Sequence, residues 1–370
     1  MSKATSAHLS FAPPNAALRD ALSAVVQVGN TLWVVNDETT YLERLTLQGQ
    51  NPDGSPHYAN HTRFALETYL RLPAASTSAT EDGGAEIDTE GLAYQDGYLW
   101  LTGSHSLVRK KPETDKPPAK AFKQLEKVSG ASNRYLLARI PLVADGATWT
   151  LQKTAQYHGQ TLTAAQLHGD AIGNDLMTAL RSDPHLQAFL NIPGKDNGFD
   201  IEGLAVAGKR LFLGLRGPVL RGWAAILELE VTTDANDPSI LKLVNIGTDN
   251  RPYRKHFLKL DGLGVRDLCV QGDDLLILAG PTMSIDGPTA LYRWQGGAQP
   301  DAESLVSSKQ LDAIFDVHYG QGDDAGDDHA EGITLFQHGG KTTLLVVYDS
   351  AAASRKRGET DVLADIIDLR

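Results

Sequence analysis

A β-propeller is the fold that this sequence predicts, on three observations: a hairpin unit that recurs in one register, strands far outnumbering helices, and a spare apolar strand at the N-terminus. Five segments superpose on their second strand: SAVVQVGNTLWVVND (23–37), EGLAYQDGYLWLTGS (90–104), EGLAVAGKRLFLGLR (202–216), RDLCVQGDDLLILAG (266–280) and EGITLFQHGGKTTLLVVYD (331–349). Each is a short apolar strand, a tight turn carrying Gly, Asn or Asp, and a second apolar strand, which is the hairpin signature. Three of the five begin E-G-[LI], and repetition at this level indicates radial arrays rather than a sandwich.

The remaining elements follow from the hairpins. A third strand trails each one: 41–47, 134–142, 224–231, 290–294 and 364–369. Fourth strands are predicted at RFALETYLRL (63–72), TWTLQKTAQYH (148–158), LKLVNIG (241–247) or KHFLKL (255–260), and SLVSSKQL (304–311). The fifth unit lacks a fourth strand, and AHLSFA (7–12) is available to complete it and close the ring. Five blades is the direct count; six is the alternative if 233–262 holds a degenerate blade. The chain reads as one domain with an insertion over 157–198. Within it, 161–190 lacks alternation and places Leu176, Met177 and Leu180 at helical spacing, with Asn174 or Asp175 as cap and Ser182-Asp183-Pro184 as stop.

Composition excludes several functions. The 370 residues are 41% hydrophobic, enough to build a large core. A formal charge of −12 argues against nucleic acid and against a polybasic membrane anchor. No apolar run approaches the roughly 20 residues that span a bilayer, and the first residues contain no signal-peptide h-region. The single cysteine, Cys269, forms neither an intramolecular disulfide nor a thiolate cluster, reads as inert core, and suits a reducing compartment. A cytoplasmic monomer is the expectation.

Function is expected on one rim. The start of each first strand lies beside the end of its second strand, so the E-G motifs share a rim with Asp37, Ser104, His105, Arg216 and Asp349. Loops there are long (72–87, 106–133, 157–198, 319–328 and 350–361), whereas turns at the other rim are mostly two or three residues. The insertion and the 106–133 loop are expected to cover the opening as a partial lid. Glu90, Glu202, Glu331, Asp37 and Asp349 are hard oxygen ligands suited to Ca²⁺ or Mg²⁺ near the axis. Asp88, Asp200 and His329 lie two residues before Glu90, Glu202 and Glu331, on the same side of the strand. His105 is the candidate general acid or base, and Arg216, Arg221 and Arg109 the candidate clamp for an anion. Ser104 and Arg266 are candidate substrate contacts; Arg266 alternatively neutralises Glu202 and Glu331, its neighbours around the ring. The acidic run 322–328 lacks the register of a calcium loop.

DTEGLAY…LWLTGSHS (88–106), GFDIEGLAV…LFLGLRGPVLRGWA (198–224) and HAEGITL…LLVVYDS (329–350) resemble the bacterial domain-of-unknown-function family 3616, from about residue 20 to the C-terminus. GLRGPVLRG is the most specific block. The E-G-[LI] hairpins also resemble the wider group of propellers that includes the esterase-like phytases. The first resemblance implies a propeller without an assigned activity, and the second implies metal-assisted ester or phosphoester hydrolysis. No phytase catalytic set maps onto this chain. Two functions follow as expectations: a metal-assisted hydrolase of a phosphoester, ester or lactone, or a non-catalytic scaffold for an anionic metabolite or a protein partner.

Overall fold

The computed structural model describes residues 5–13, 16–74, 86–320 and 324–369. Its strands are β1 (Thr5–Ser10), β2 (Ala24–Val28), β3 (Thr31–Val35), β4 (Tyr41–Gln50), β5 (Pro56–Ala65), β6 (Thr89–Gln95), β7 (Tyr98–Gly103), β8 (Leu137–Asp145), β9 (Thr148–Leu151), β10 (Asp200–Ala207), β11 (Arg210–Gly217), β12 (Ala224–Thr233), β13 (Arg254–Leu258), β14 (Gly264–Gln271), β15 (Asp274–Gly280), β16 (Thr289–Trp294), β17 (Leu311–Val317), β18 (His329–His338), β19 (Lys341–Asp349) and β20 (Asp361–Ile367), alongside shorter ribbons. Among the described residues three short α-helices accompany them: α1 (Ala16–Asp20), α2 (Pro118–Leu125) and α3 (Asp175–Leu180).

Consecutive strands pair antiparallel within β2–β5, β6–β9, β10–β13, β14–β17 and β18–β20. Hairpin turns are tight because their residues tolerate left-handed backbone. Asp96-Gly97, with φ of 50° and 79°, forms the turn that matches strand twist. First strands neighbour one another in the cyclic order β2, β6, β10, β14, β18 and back to β2. The apolar cores lie between adjacent sheets. Trp33, Leu42, Leu92 and Leu101 fill one; Leu204, Leu213, Leu227 and Trp100 the next; Phe212, Ile226, Leu268 and Ile277 another; Leu278, Leu291, Ile333 and Val346 the fourth; Leu9, Val34, Phe336 and Leu345 the last. Each first strand is therefore apolar on both faces, as the unbroken runs in the sequence imply. The architecture is all-β and propeller-like.

The N-terminal strand does what the incomplete last unit asks of it. β1 pairs antiparallel with β20 from Thr5↔Ile366 to Ser10↔Asp361, and parallel with β5 at His8↔His57. Outer strands are less legible. The fourth strand after β4 is Pro56–Ala65, ahead of the expected 63–72, and β17 lies at 311–317, after the expected 304–311. Ser304–Val306 instead runs parallel to β13. An outer strand meets a core on less of its surface, so apolar content is a poor guide to its place. Both candidates within 233–262 are strands: 240–243 and 254–258 pair with different stretches of β12.

The insertion is only partly helical. Gln160–Thr163 forms a ribbon with Thr154–Tyr157, and Ala165–Leu167 pairs with β8. α3 forms where predicted: the Asn174 side chain accepts from the Met177 N–H at 3.0 Å, and Leu176, Met177 and Leu180 are buried. It packs against 240–243, to the side of the second and third hairpins.

Candidate active site at the motif rim

The E-G motif is a β-bulge. Pairing runs Thr89↔Gly103 then Gly91↔Thr102, Ile201↔Leu215 then Gly203↔Gly214, Val265↔Ala279 then Asp267↔Leu278, and Ala330↔Tyr348 then Gly332↔Val347. The unpaired extra residue is Glu90, Glu202, Arg266 or Glu331. A bulge re-aims its side chain, and here it turns four charged groups toward one region. The following glycine exists because neighbouring strands crowd there. A Cβ on Gly91 would stand 2.6 Å from Leu204 Cβ, and one on Gly332 would stand 2.9 Å from Ala24 Cα. In β14 the pair is Arg266-Asp267. Asp267 is buried and accepts from the N–H groups of Leu268 and Ile333, both at 2.7 Å, tying two strands together.

These groups open into a cavity of about 520 Å³, lined by ten acidic and six basic side chains among the described residues. Arginines neutralise one side of it. Glu202 receives Arg216 Nη1 on Oε1 at 2.5 Å and Arg266 Nε on Oε2 at 3.1 Å, and Arg266 Nη2 also binds Glu331. Arg216 is itself fixed by donating to the Thr282 carbonyl at 2.9 Å. Arg134, which the sequence did not single out, is buried and pairs with Glu86 and Asp88 while donating to Ser106 Oγ at 3.2 Å. It arrives from the far end of the 106–133 loop, and its only sequence signal is a charge just before an apolar strand.

The Asp37–Asp88–Glu90 group has one arginine, the Arg134 that pairs with Asp88. Ligand oxygens of Asp37, Asp88 and Glu90 all lie within 4.8 Å of one another. Asp37 and Glu90 line the cavity with no ion pair among the described residues. Burial and the neighbouring Asp88 and Asp349 push the Asp37 carboxyl up to about 7, and burial with Asp88, Glu202 and Glu331 raises Glu90 well above the carboxylate range. Asp200 is 4% exposed and lines the same cavity without a side-chain hydrogen bond among the described residues; burial and the Glu202 charge push it up to about 7. Burial and Asp349 bring Glu331 up to about 8, against the pull of Arg266.

The predicted residues therefore divide. Asp37, Glu90, Glu202, Glu331, Asp349, Arg109 and Arg216 all line the cavity. Arg266 takes the neutralising position between two glutamates. Its role and that of Arg216 in holding carboxylates leave Glu202 and Glu331 poorly placed as metal ligands. Asp349 is turned to the Ser350 N–H at 2.7 Å. His105 is absent from the lining. It is 2% exposed, its Nδ1 lies 2.9 Å from the Gly103 carbonyl and its Nε2 lies 2.8 Å from Asn174 Nδ2. Burial lowers it to about 4, so it stays a neutral brace between β7 and the cap of α3, with no nitrogen left to move a proton. Ser104 is buried with its Oγ 3.0 Å from Ser106 Oγ, and Ser106 rather than Ser104 reaches the cavity. Arg221 is exposed and outside the lining.

The covering segments are also resolved. Arg109 binds Asp196 at 2.7 Å and the Leu125 carbonyl, and the Gly194 N–H donates to the Leu107 carbonyl at 2.9 Å. The 106–112 stretch and residues 195–196 thus form the cavity wall together, while α3, expected over the opening, contributes nothing to it. Loop 72–87 and the acidic run 322–328 lie partly outside the described residues. Cys269 is half-buried, its thiol pushed up to about 12 by burial. It lines a separate cavity of about 250 Å³ formed by all five first strands.

Among solved structures the chain is similar to Myxococcus xanthus glutaminyl cyclase (11% identity, 98% of this chain and 97% of that one, TM-score 0.38). It is similar to a PQQ-bound aldose sugar dehydrogenase from Streptomyces coelicolor (11% identity, 94% of both chains, TM-score 0.36) and to the Malassezia sympodialis allergen Mala s 1 (11% identity, 94% and 78%, TM-score 0.34). At these scores none of them carries an argument about function. No curated protein matches the chain. The profile of the protein family of unknown function DUF3616 matches residues 21–365, nearly the whole propeller-like body with its bulged glutamates, and the chain belongs to that family.

Proposed function

We propose that the motif-rim cavity of a five-bladed propeller is a divalent-cation site that hydrolyses a small anionic phosphoester, ester or lactone. The observation that carries this reading is the Asp37–Asp88–Glu90 group, three carboxylates within 4.8 Å, of which only Asp88 has an arginine partner, in a cavity where Glu202 and Glu331 are already held by Arg216 and Arg266. Arg134 offsets one of these three charges, and a hard cation such as Ca²⁺ or Mg²⁺ relieves the remaining repulsion with the ligands it prefers. A cation held there polarises a substrate oxygen and makes bound water more acidic. Asp200, up to about 7, is suited to accept a proton at neutral pH, a role that the sealed His105 does not fill. Arg109, with the cavity's lysines, supplies positive charge on the wall against the anion.

The second reading is a binding scaffold without chemistry, favoured by the enclosure of His105, the residue the sequence offered as general acid or base. One experiment separates them. Protein prepared without chelator is titrated calorimetrically with Ca²⁺ and Mg²⁺, then assayed against p-nitrophenyl esters and phosphates. Saturable binding lost in Glu90→Gln, with turnover lost in Asp200→Asn, supports the hydrolase. Binding without turnover supports the scaffold, and no cation binding overturns the cation site.

A further inference from the structure

Exposed large apolar side chains are concentrated around the cavity mouth. Ten such residues are exposed among those described; four of them, Val108, Phe122, Leu125 and Val128, belong to one flap, and two more, Met283 and Ile285, to one loop. Both segments reach the cavity, the flap through Val108 and Leu125 and the loop through Ser284. The flap is the ribbon Val108–Arg109 with Val128–Ser129, closed by α2. Nearly all of it stands out from the body: Phe122 is 64% exposed and Gln124 is the one buried side chain of α2. Phe122 and Leu125, three residues apart, are neighbours on the helix surface, as are Lys120 and Lys123.

The flap is also electrically unlike the rest of the chain. Residues 107–130 hold seven basic and three acidic side chains, a local charge of +4 within a total of −12. Screening confines each charge to about 10 Å at 0.1 M salt, so an approaching surface meets the flap's charge rather than the net charge. Basic residues beside protruding aromatic and aliphatic groups are the pattern of interfacial docking.

We propose that this collar docks the protein on an anionic lipid surface, with the cavity mouth facing the headgroups. The apolar residues come from two separate segments with an open acidic cavity between them. A rigid partner protein would have to match both protrusions and plug the cavity. A fluid bilayer conforms to separated protrusions at no such cost. The inference does not rest on the hydrolase reading, since lipid docking needs neither cation nor turnover.

The test is co-sedimentation of the full chain with phosphatidylcholine vesicles and with vesicles of phosphatidylcholine and phosphatidylglycerol. Wild type is expected to bind the anionic vesicles, and added salt to weaken that binding. Lys120→Glu with Lys123→Glu is expected to weaken binding at least about tenfold, at roughly 1 kcal/mol per basic residue near the surface. Phe122→Ser is expected to weaken it at unchanged charge. Because these side chains are exposed, an unchanged melt verifies folding. Equal binding to both vesicle types, no binding, or variants that bind like wild type overturn the proposal. Self-association of wild type that Phe122→Ser reverses, without vesicle binding, overturns it in favour of a second copy.

Discussion

Glu90 shows most directly what one residue does in this site. It is the extra residue of a bulge, it faces Asp37 and Asp88, and no cation among the described side chains pairs with it. Replacing it by Gln fixes the neutral form that burial and its acidic neighbours favour, so without divalent cation, at alkaline pH where the carboxyl ionises, the melting temperature is expected to rise by roughly 1–3 °C. The same variant is expected to lose the stabilisation that Ca²⁺ or Mg²⁺ gives wild type. Calorimetric melts with and without chelator check both. The pH dependence follows in sign. Asp37 and Asp200, up to about 7, and Glu331, up to about 8, all have folded values above their ordinary 3.8 and 4.5. Their neutral forms are favoured in the folded state. Their contribution to stability is therefore complete below about pH 4 and is lost as pH rises through 7 to 8. In chelator, melts across pH 5–9 are expected to show this decline, and Glu90→Gln, which removes one of the raised carboxyls, to flatten it. Arg134 is the opposite case. Arg134→Ala leaves Asp88 buried without its partner and is expected to cost about 3–5 kcal/mol in denaturant unfolding.

Among the elements, the first strands set the tolerances. Their close approach leaves no room at the glycine after each bulge. Gly91→Ala would force its Cβ to within 2.6 Å of Leu204 Cβ and 2.9 Å of the Leu204 nitrogen, and backbone cannot step aside as a flexible side chain can. The expected loss is about 1–3 kcal/mol, read from urea midpoints at constant m-value. Gly208 in a hairpin turn offers the comparison: nothing lies within 4 Å of its Cβ position, but φ is +60°, so the cost there is one of backbone conformation alone. These local patterns were legible. Tight turns, apolar runs and the E-G register all arise between residues a few positions apart. The cap of α3 was legible for the same reason. Outer strands were not, because parallel pairs such as β1 with β5 join segments about 50 residues apart on little apolar signal.

At the scale of the whole molecule, β1 joins the first and last sheets. Ala7, Leu9 and Phe11 are buried in the core shared by the first and last sheets, and β1 bridges β20 and β5. Burial of Leu9 and Phe11 alone is worth about 3–6 kcal/mol. Deleting residues 1–15 is expected to lower the melting temperature by several degrees and to expose the edge of β20. An unchanged melt would show that the ring holds without its N-terminal strand.

The sequence by itself determined the repeat, the all-β class, the closing strand and the rim on which the bulged glutamates gather, since each follows from local periodicity and one register. It also placed Arg266 between Glu202 and Glu331 by counting around the ring. Only the tertiary structure decided which carboxylates are neutralised. Arg216 meets Glu202 because both residues fall out of the strand pairing at the same bulged end of a hairpin. Arg134 meets Asp88 across 46 residues of chain, and Asn174 seals His105 across 69. Ionic partners and histidine environments depend on distances of a few ångströms between segments far apart in sequence. Coulomb energy and desolvation change steeply over those distances, and no spacing rule along the chain encodes them.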